Sequence, residues 1–456
     1  MRHVSPSHAS PAARTLQLLT RRYGVGEPLS CVPLDRGLLN RGYRLATTRG
    51  AYFLKHHLGG DPQTVLPLAS RHRATAALAD RGIPVVPTLA DRSGDSAALL
   101  DGCCFVLHPW LDGHHRDGGG LDVAGSDRLG DLLGRVHRQL ELVIKEDRAA
   151  TAVPGNAHHL APLGPRAPLG PRNHDAVAAR DRAVPGPGAG AAPGATRRGE
   201  VHAAATAPAR AAHRAVPGGR GRTALGSGAH RLPGPCRPAA RPEHASAAAP
   251  GGDRVLPSSP GTVGESARIE DTYVVIDQLL ARIRRAPRRT SFDELAEHRL
   301  QERRGMLRTH AHRRPGPAQV PAAGWVHGDF HPLNLMYGED SVEPLAIIDW
   351  DRLAIRPRAE EAVRAAAIFF LRPDGTLDLA KVRAYARAYR SATEADGDEL
   401  AAATQRVWWE RLNDFWMLRW HYELRDHRAD PQFAAAASLI VWWTRNAAAV
   451  RDAFSG

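Results

Sequence analysis

Apolar side chains recur along most of the chain at the intervals that regular secondary structure produces. Intervals of three and four predict helices at residues 12–23, 69–81, 127–146 and 358–370. Two other stretches, residues 43–57 and 97–108, are typical of strand pairs, with tight turns at residues 49–50 and 101–102. The pattern therefore predicts a small antiparallel sheet followed by a larger helical part.

Two further helices are predicted before the last third of the chain. Ile276, Leu279, Leu280 and Ile283 share one helical face. Residues 291–294, Ser-Phe-Asp-Glu, match a capping box, in which the first and last side chains satisfy each other's backbone N–H groups. We therefore expect a second helix to open at Ser291.

The periodicity disappears between residues 151 and 260. Ala, Pro, Gly and Arg make up 75 of these 110 residues, and Phe, Trp, Tyr, Ile and Met do not occur. Such a composition cannot bury enough apolar surface to offset the entropy lost on ordering. We predict that this segment is disordered and carries no catalytic residue. It remains open whether it is a functional basic linker, a neutral expansion or a stretch translated out of frame.

Charge and cysteine content narrow the functional classes. The formal net charge is +13, but the segment 151–260 alone holds 14 Arg, no Lys and five acidic residues. The basic balance is therefore no evidence that the folded part binds nucleic acid. The four cysteines lack the spacing of a zinc site, and no apolar run reaches the roughly 18 residues of a membrane span. We expect a soluble cytoplasmic protein with neither a nucleic-acid nor a membrane partner.

The clearest chemical signature lies in two neighbouring stretches. Residues 324–334 read Gly-Trp-Val-His-Gly-Asp-Phe-His-Pro-Leu-Asn, and residues 345–351 read Leu-Ala-Ile-Ile-Asp-Trp-Asp. Each is a short apolar run that leads into oxygen-bearing side chains: Asp329 and Asn334 in the first, Asp349 in the second. Phosphoryl transfer needs a carboxylate beside the acceptor hydroxyl and hard oxygen ligands for Mg²⁺. The layout therefore predicts a magnesium-dependent phosphoryl-transfer site.

Asp329 and Asn334 are five positions apart, as are Asp and Asn in the protein-kinase catalytic loop. With Asp349 they resemble the aminoglycoside phosphotransferase and choline kinase superfamily, whose signature is H-G-D-x-x-x-x-N followed by (I/V)-I-D-(W/F)-(D/E). The resemblance implies a protein-kinase-like, two-lobed α+β fold: a small antiparallel β-sheet N-lobe and a larger, mainly helical C-lobe with ATP and Mg²⁺ between them. It also implies phosphorylation of a hydroxyl on a small-molecule acceptor, whose identity is not readable from the sequence.

The resemblance assigns roles within the two stretches. Asp329 is expected to be the catalytic base, while Asn334 and Asp349 hold the metal. His327 belongs to the catalytic loop, where bracing by hydrogen bonds is a more natural role than proton transfer. His331 and Asp351 could touch metal or acceptor, or could be solvated neighbours.

The nucleotide side is expected in the first lobe. Lys55, at the end of a predicted strand, matches the family's strand lysine that steadies the α- and β-phosphates. The preceding glycine-bearing turn, with Gly37, Asn40 and Gly42, could bring backbone amides close to phosphate, although an ordinary hairpin is the alternative. No glutamate lies between Lys55 and Asp80, so Lys55 has no evident ion-pair partner.

Two further regions complete the expected site. His108 and Trp110 fall where kinase-like folds join the lobes, so backbone groups there are expected to meet adenine. On the acceptor side, Glu361 could shape the pocket, or could simply favour a helix N-terminus. Trp416 belongs to a proposed helical face with Trp409, Leu412 and Trp420, which is either core or an aromatic wall for an amine.

We expect four segments along the chain: an N-terminal nucleotide-binding lobe (1–109), the start of the helical lobe (110–150), the low-complexity insert (151–262) and the catalytic and acceptor-binding lobe (263–456). A different reading of the same fold is a nucleotide-binding regulator or scaffold that has lost turnover. The missing helix glutamate favours this alternative, whereas the complete set of Asp329, Asn334 and Asp349 favours an enzyme.

Overall fold

The computed structural model describes residues 10–34, 40–57, 62–152 and 265–456. The predicted disordered insert lies almost wholly outside these residues, as does Gly37. Among the residues described, Cys31, Cys103 and Cys104 are free thiols. None of the described helices combines the length and apolar character that crossing a membrane requires.

The first lobe is a five-stranded antiparallel sheet with two helices. The strands are β1 (Pro28–Leu34), β2 (Arg41–Thr47), β3 (Gly50–His57), β4 (Ala98–Leu100) and β5 (Cys103–Pro109), in the order β1-β2-β3-β5-β4. The helices are α1 (Ala13–Tyr23) and α2 (Pro62–Asp80). Alternate residues of the strands, such as Tyr43, Leu45 and Leu54, form a small core with Leu19 of α1. Both predicted strand pairs are confirmed.

The tight turn between β4 and β5 has the predicted chemistry. Asp101 and Gly102 both have positive φ values, 51° and 74°. This is the backbone geometry of a two-residue hairpin loop, and an Asp-Gly pair is among the sequences that adopt it most readily. β5 is covered on both faces, because four consecutive residues, Cys104 to Leu107, are all buried.

The second lobe is mainly helical. Its helices are α3 (Val123–Ala152), α4 (Ile269–Arg285), α5 (Ser291–His310), α6 (Arg358–Phe369), α7 (Leu379–Thr393), α8 (Gly397–Asn413), α9 (Trp416–Arg419), α10 (Asp430–Arg445) and α11 (Ala447–Ser455). Two small antiparallel sheets pair β6 (Ala323–Val326) with β9 (Ala354–Pro357), and β7 (Leu335–Tyr337) with β8 (Pro344–Ile347). The predicted two-lobed α+β fold is confirmed.

Helices α3 and α7 pack together at close range. A Cβ atom added at Gly130 of α3 would lie 2.1 Å from the carbonyl oxygen of Tyr385 in α7, so only glycine permits this approach. Leu132, Leu133 and Val136 of α3 are buried in the main core of the lobe. Two turns further along α3, His137 contacts Glu361 of α6.

Two local predictions are wrong in detail. The capping box at α5 begins one residue earlier than predicted, because Thr290 and Asp293 each bond the other's backbone N–H. The proposed tryptophan face is not one helix, because α8 ends at Asn413 and the chain turns before Trp416. Trp409 is 1% exposed and belongs to the core, as the core alternative predicts.

Trp416 and Trp420 lie apart from that core. Both are partly exposed, and their rings meet edge to face with centroids 5.3 Å apart. Trp420 opens a π-helical turn, Trp420–Leu424, that follows α9 directly. The aromatic-wall alternative therefore concerns this ring pair and not a continuous helical face.

Candidate active site

The loop between β6 and β7 carries the H-G-D motif, and its course depends on a glycine. Gly328 has a φ of +85°, which L side chains rarely adopt. A Cβ atom here would lie 2.2 Å from the carbonyl oxygen of Arg352, which follows the second motif stretch. The glycine therefore allows the two stretches to pass each other in contact.

His327 holds this loop with both of its ring nitrogens. Nε2 donates to the carbonyl oxygen of Ile348 at 3.0 Å, and Nδ1 accepts from the backbone N–H of Asp329 at 3.2 Å. The ring is fully buried, and this burial lowers the pKa of His327 below its ordinary value. A neutral imidazole with both nitrogens engaged fits the bracing role better than proton transfer.

Asn334 is oriented by the same loop. Its side-chain Nδ2 donates to the backbone carbonyl oxygen of Asp329 at 2.8 Å. Its backbone carbonyl oxygen accepts from the backbone N–H of Ile348 at 2.9 Å. The side-chain nitrogen is therefore used within the loop. The other polar atom of the side chain is the carbonyl oxygen Oδ1, a hard ligand of the kind that Mg²⁺ prefers, and it is the atom of Asn334 that could hold a metal.

Lys55 bridges the two lobes through carboxylates. Its Nζ lies 2.7 Å from Asp349 Oδ1 and 2.7 Å from Asp351 Oδ2. Burial alone would lower the pKa of Lys55, but the two carboxylates hold it above its ordinary value. The expectation that Lys55 lacks an ion-pair partner is therefore wrong, because its partners come from the second lobe and not from α2.

Asp349 lies two residues after the end of β8 and has an unusual backbone conformation. Its φ and ψ are 63° and 62°, in the left-handed region. Burial would raise its pKa, but the charge and hydrogen bond of Lys55 keep the pKa below the ordinary value. The side chain is 45% exposed, so the ionised carboxylate stays accessible to a cation. Together with Asn334 Oδ1, it offers an all-oxygen donor set that fits Mg²⁺.

Asp351 contacts three side chains of the first lobe. Besides Lys55, Asn40 donates to Oδ2 at 2.9 Å, and His57 Nδ1 lies 3.7 Å from the same oxygen. The structure thus joins Asn40, predicted on the nucleotide side, to Asp351, predicted beside metal or acceptor. His57 was not predicted, although it lies two positions after Lys55 and so on the same side of β3.

Asp329 is flanked by two basic side chains. His331 Nε2 and Arg352 Nη1 each lie 3.7 Å from Asp329 Oδ1. Burial would raise the pKa of Asp329, but the adjacent His331 and the charge of Arg352 hold it below the ordinary value. The carboxylate is therefore ionised at neutral pH. Arg352 was not predicted, and its place directly after the second motif is the only signal for it in the sequence.

Glu361, at the start of α6, lies against the loop between β6 and β7. Its carboxylate accepts hydrogen bonds from the backbone N–H groups of His327, at 3.1 Å, and Gly328. It also accepts from His137 Nε2 of α3 at 2.7 Å, while His137 Nδ1 lies 3.0 Å from Tyr389 Oη. Glu361 is only 3% exposed, so this placement supports neither an acceptor contact nor a simple helix-end charge.

Burial would raise the pKa of Glu361, but the hydrogen bond from His137 and the other donors keep it below the ordinary value. The ionised carboxylate is thus a fixed support for the loop backbone. His137 was not predicted, because a histidine among the apolar positions of α3 reads as an ordinary core residue. Nothing in the sequence connects it with Glu361.

The expected hinge residues lie at the end of β5. Trp110 donates its backbone N–H to Ala51 at 3.2 Å, and the guanidinium of Arg44 lies 5.1 Å from its ring centroid. His108 Nδ1 lies 3.3 Å from the carbonyl oxygen of Val86. These positions suit a connection between lobes, and their contact with adenine stays a prediction.

Gly42 is not part of a turn. It lies within β2 directly opposite Lys55, where an added Cβ would be 2.8 Å from the ring of Phe53. This glycine therefore makes room for an aromatic ring. A phosphate-binding role for residues 35–39 of the preceding connection, including Gly37, falls outside the described residues.

The sequence profile of the phosphotransferase enzyme family matches residues 30–218 and 228–395. The chain belongs to this family. Both motif stretches, Lys55 and Glu361 lie within the matched residues. No curated protein sequence matches the chain.

Several solved structures are similar to the chain at low sequence identity. An aminoglycoside phosphotransferase from Alicyclobacillus acidocaldarius is 10% identical, with 99% of this chain and 97% of that one covered and a TM-score of 0.47. A microcompartment-associated aminopropanol kinase is 14% identical, with 98% and 99% covered and a TM-score of 0.47. Amicoumacin kinase, in complex with AMP-PNP, Ca²⁺ and Ami, is 12% identical, with 96% and 92% covered and a TM-score of 0.45.

Proposed function

We propose that this protein transfers the γ-phosphoryl group of Mg²⁺-bound ATP to a hydroxyl group of a small molecule. The observation that carries the proposal is the convergence of Asp329, Asn334, Asp349 and Lys55 from separate elements. Membership of a phosphotransferase family supports the same reaction class.

Lys55 is suited to holding phosphate oxygens. An ammonium group has three N–H donors, and the two carboxylates that Lys55 contacts use two of them. The third donor is available for a phosphate oxygen without loss of either ion pair. Because β3 also contacts the neighbouring strands along its whole length, the position of this charge is fixed by the sheet.

Asn334 Oδ1 and Asp349 would hold the metal. When bound, Mg²⁺ neutralises charge on the transferring phosphoryl group and orients the phosphates. The hydrogen bond from Asn334 Nδ2 to the backbone of Asp329 links the metal ligand to the base in one rigid turn. The loop therefore sets the distance between acceptor and phosphate, and positioning of this kind supplies much of the catalysis.

Asp329 would accept the proton of the acceptor hydroxyl. The bond between the γ-phosphorus and the bridging oxygen breaks, the acceptor oxygen forms the new bond to phosphorus, and ADP leaves. The flanking Arg352 and His331 keep the carboxylate ionised so that it can receive that proton. No covalent intermediate on the protein is required.

The test is ADP formation from Mg²⁺-ATP by the purified full chain against aminoglycosides, choline, ethanolamine and homoserine. D329N is the matched variant, since it keeps the size of the side chain and removes the base. ADP that depends on an acceptor and falls by at least about 100-fold in D329N is the expected result. Nucleotide binding without turnover on a wider acceptor panel would contradict the proposal and favour the non-catalytic alternative.

A further inference from the structure

Three side chains of kinds that bind metals lie close together outside the proposed phosphoryl-transfer site. They are His421, in the π-helical turn, His427, in the following loop, and Asp430, the first residue of α10. His421 Nδ1 and His427 Nδ1 lie 2.8 Å and 3.1 Å from Asp430 Oδ2. The two nitrogens are 3.0 Å from each other. Within the described part of the chain, this is the place where three His, Cys, Asp or Glu ligand atoms come together.

Protons alone cannot satisfy all three contacts. If both imidazoles carry their proton on Nδ1, both donate to Asp430 Oδ2 and the two N–H groups oppose each other. If only one does, the lone pair of the other nitrogen faces the carboxylate. A single divalent cation attracts both nitrogen lone pairs and the carboxylate oxygen at once. The arrangement thus suits a cation better than it suits hydrogen bonding.

The spacing fits a small transition-metal ion. Ligand atoms about 2.0–2.1 Å from a tetrahedral metal are about 3.3 Å from one another, a few tenths of an ångström more than the three distances here. An ion at that bond length would stand about 1 Å out of the plane of the three atoms. Small side-chain movements therefore complete the site, with the fourth position open to water.

A second observation concerns the other carboxylate oxygen. Asp430 Oδ1 is buried and has no hydrogen-bond partner among the described residues. An unpaired buried carboxylate oxygen is costly, whereas a metal-bound carboxylate can place its second oxygen near the ion or near a metal-bound water. The unpaired oxygen Oδ1 thus belongs to Asp430, whose other oxygen Oδ2 both histidines contact.

The surrounding residues hold the ligands in place. The ring of His421 stacks on Phe292 of α5, with centroids 4.1 Å apart and planes 14° from parallel. The adjacent Tyr422 donates to Asp293 Oδ1 at 2.7 Å. His427 is 61% exposed, which gives an ion a route from solvent. Fixed inner ligands and one accessible outer ligand are what metal entry requires.

We propose that His421, His427 and Asp430 bind one Zn²⁺ ion. Two imidazoles and a carboxylate are ligands that zinc accepts, and hard ions such as Mg²⁺ prefer oxygen alone. The ion would tie the π-helical turn to the first turn of α10. This site is separate from the residues that carry the proposed phosphoryl transfer.

The test measures zinc retained by the full chain, free of any polyhistidine tag. The protein is stripped with a chelator, mixed with Zn²⁺ in excess Mg²⁺, passed through gel filtration and analysed for metal. The wild type is expected to retain one Zn²⁺ more per chain than H427A, and Co²⁺ in its place should give a tetrahedral absorption spectrum that H427A lacks. H427A alters an exposed side chain, so folding should be unaffected.

H312A is the matched control, because His312 is exposed and lies near another histidine, with ring centroids 6.4 Å apart. H312A should retain as much zinc as the wild type, and D430N should lose affinity by more than about tenfold. Zinc should also raise the melting temperature of the wild type and not of H427A. Equal retention by wild type and H427A, or no retention by the wild type, would overturn the proposal.

Discussion

Replacing Glu361 by glutamine tests whether a buried carboxylate supports the loop that carries the candidate base. Three donors converge on the two carboxylate oxygens: the backbone N–H groups of His327 and Gly328, and Nε2 of His137. Glutamine keeps the shape of the side chain but replaces one oxygen by an NH₂ group. At least one of the three donors then faces another donor.

The loss of stability expected for E361Q follows from the number of donors left without an acceptor. A hydrogen bond to a charged group contributes about 1.5–3 kcal/mol, and a buried donor left without a partner costs about 1–3 kcal/mol. His137 can move its proton to Nδ1, which lies within reach of Tyr389 Oη, and so relieve one conflict. One backbone N–H of the loop remains unpaired. We therefore expect E361Q to lower the free energy of unfolding by about 2–3 kcal/mol.

The control variant is E270Q, which tests whether Glu361 acts only as a negative charge at a helix N-terminus. Glu270 also lies in the first turn of its helix, α4, but its side chain is 75% exposed. A helix-end charge contributes only about 0.3–1 kcal/mol, so E270Q should have a small effect. The measurement is equilibrium unfolding in urea at neutral pH. A loss in E361Q no larger than that in E270Q would refute the loop-support role.

The depressed pKa of Glu361 also determines how its contribution to the free energy of unfolding changes with pH. Because the folded-state pKa of Glu361 is depressed, its ionised form contributes stability above the unfolded-state pKa. That contribution is lost as the pH falls through the folded-state pKa. The stability difference between wild type and E361Q should therefore narrow in acid. A constant difference down to the pH of acid unfolding would contradict the depressed pKa.

Three further substitutions give distinct outcomes. In urea unfolding, G328A should lower the free energy of unfolding by about 1–3 kcal/mol more than G94A. Both glycines have positive φ, but only at Gly328 would the added Cβ meet a backbone oxygen, so equal losses would contradict this expectation. K55M should weaken Mg²⁺-ATP binding in calorimetry by about tenfold or more, and an unchanged affinity would exclude a phosphate role. R352Q should raise the pKa of Asp329 and move the acid limb of the pH–rate profile upward, whereas an unmoved limb would show that Arg352 does not act on the base.

The lobes were predictable because their signals are local. The intervals of apolar residues in α1 and α3, and the Asp-Gly turn between β4 and β5, involve residues close in sequence. The order of polar residues in the two motif stretches is local as well. Local signals do not reveal every helix end. The end of α8 at Asn413 depends on how the chain packs and not on the spacing of the tryptophans.

The contacts that organise the site were not predictable in the same way. Lys55 and Asp349 are 294 positions apart, and His137 and Glu361 are 224 apart. Such pairs are decided by how two lobes or two helices meet, which no periodicity encodes. The absence of a helix glutamate suggested an unpaired lysine because that inference considered only one of the elements able to supply a carboxylate.

The fate of the γ-phosphoryl group is the most direct test of the proposed reaction. ATP labelled at the γ-phosphate would be incubated with the full chain, Mg²⁺ and an acceptor that stimulates ADP formation, and the products separated by mass. We expect one labelled phosphoryl group on the acceptor with the wild type and almost none with D329N. Label found only in inorganic phosphate, or transferred equally well by D329N, would contradict it.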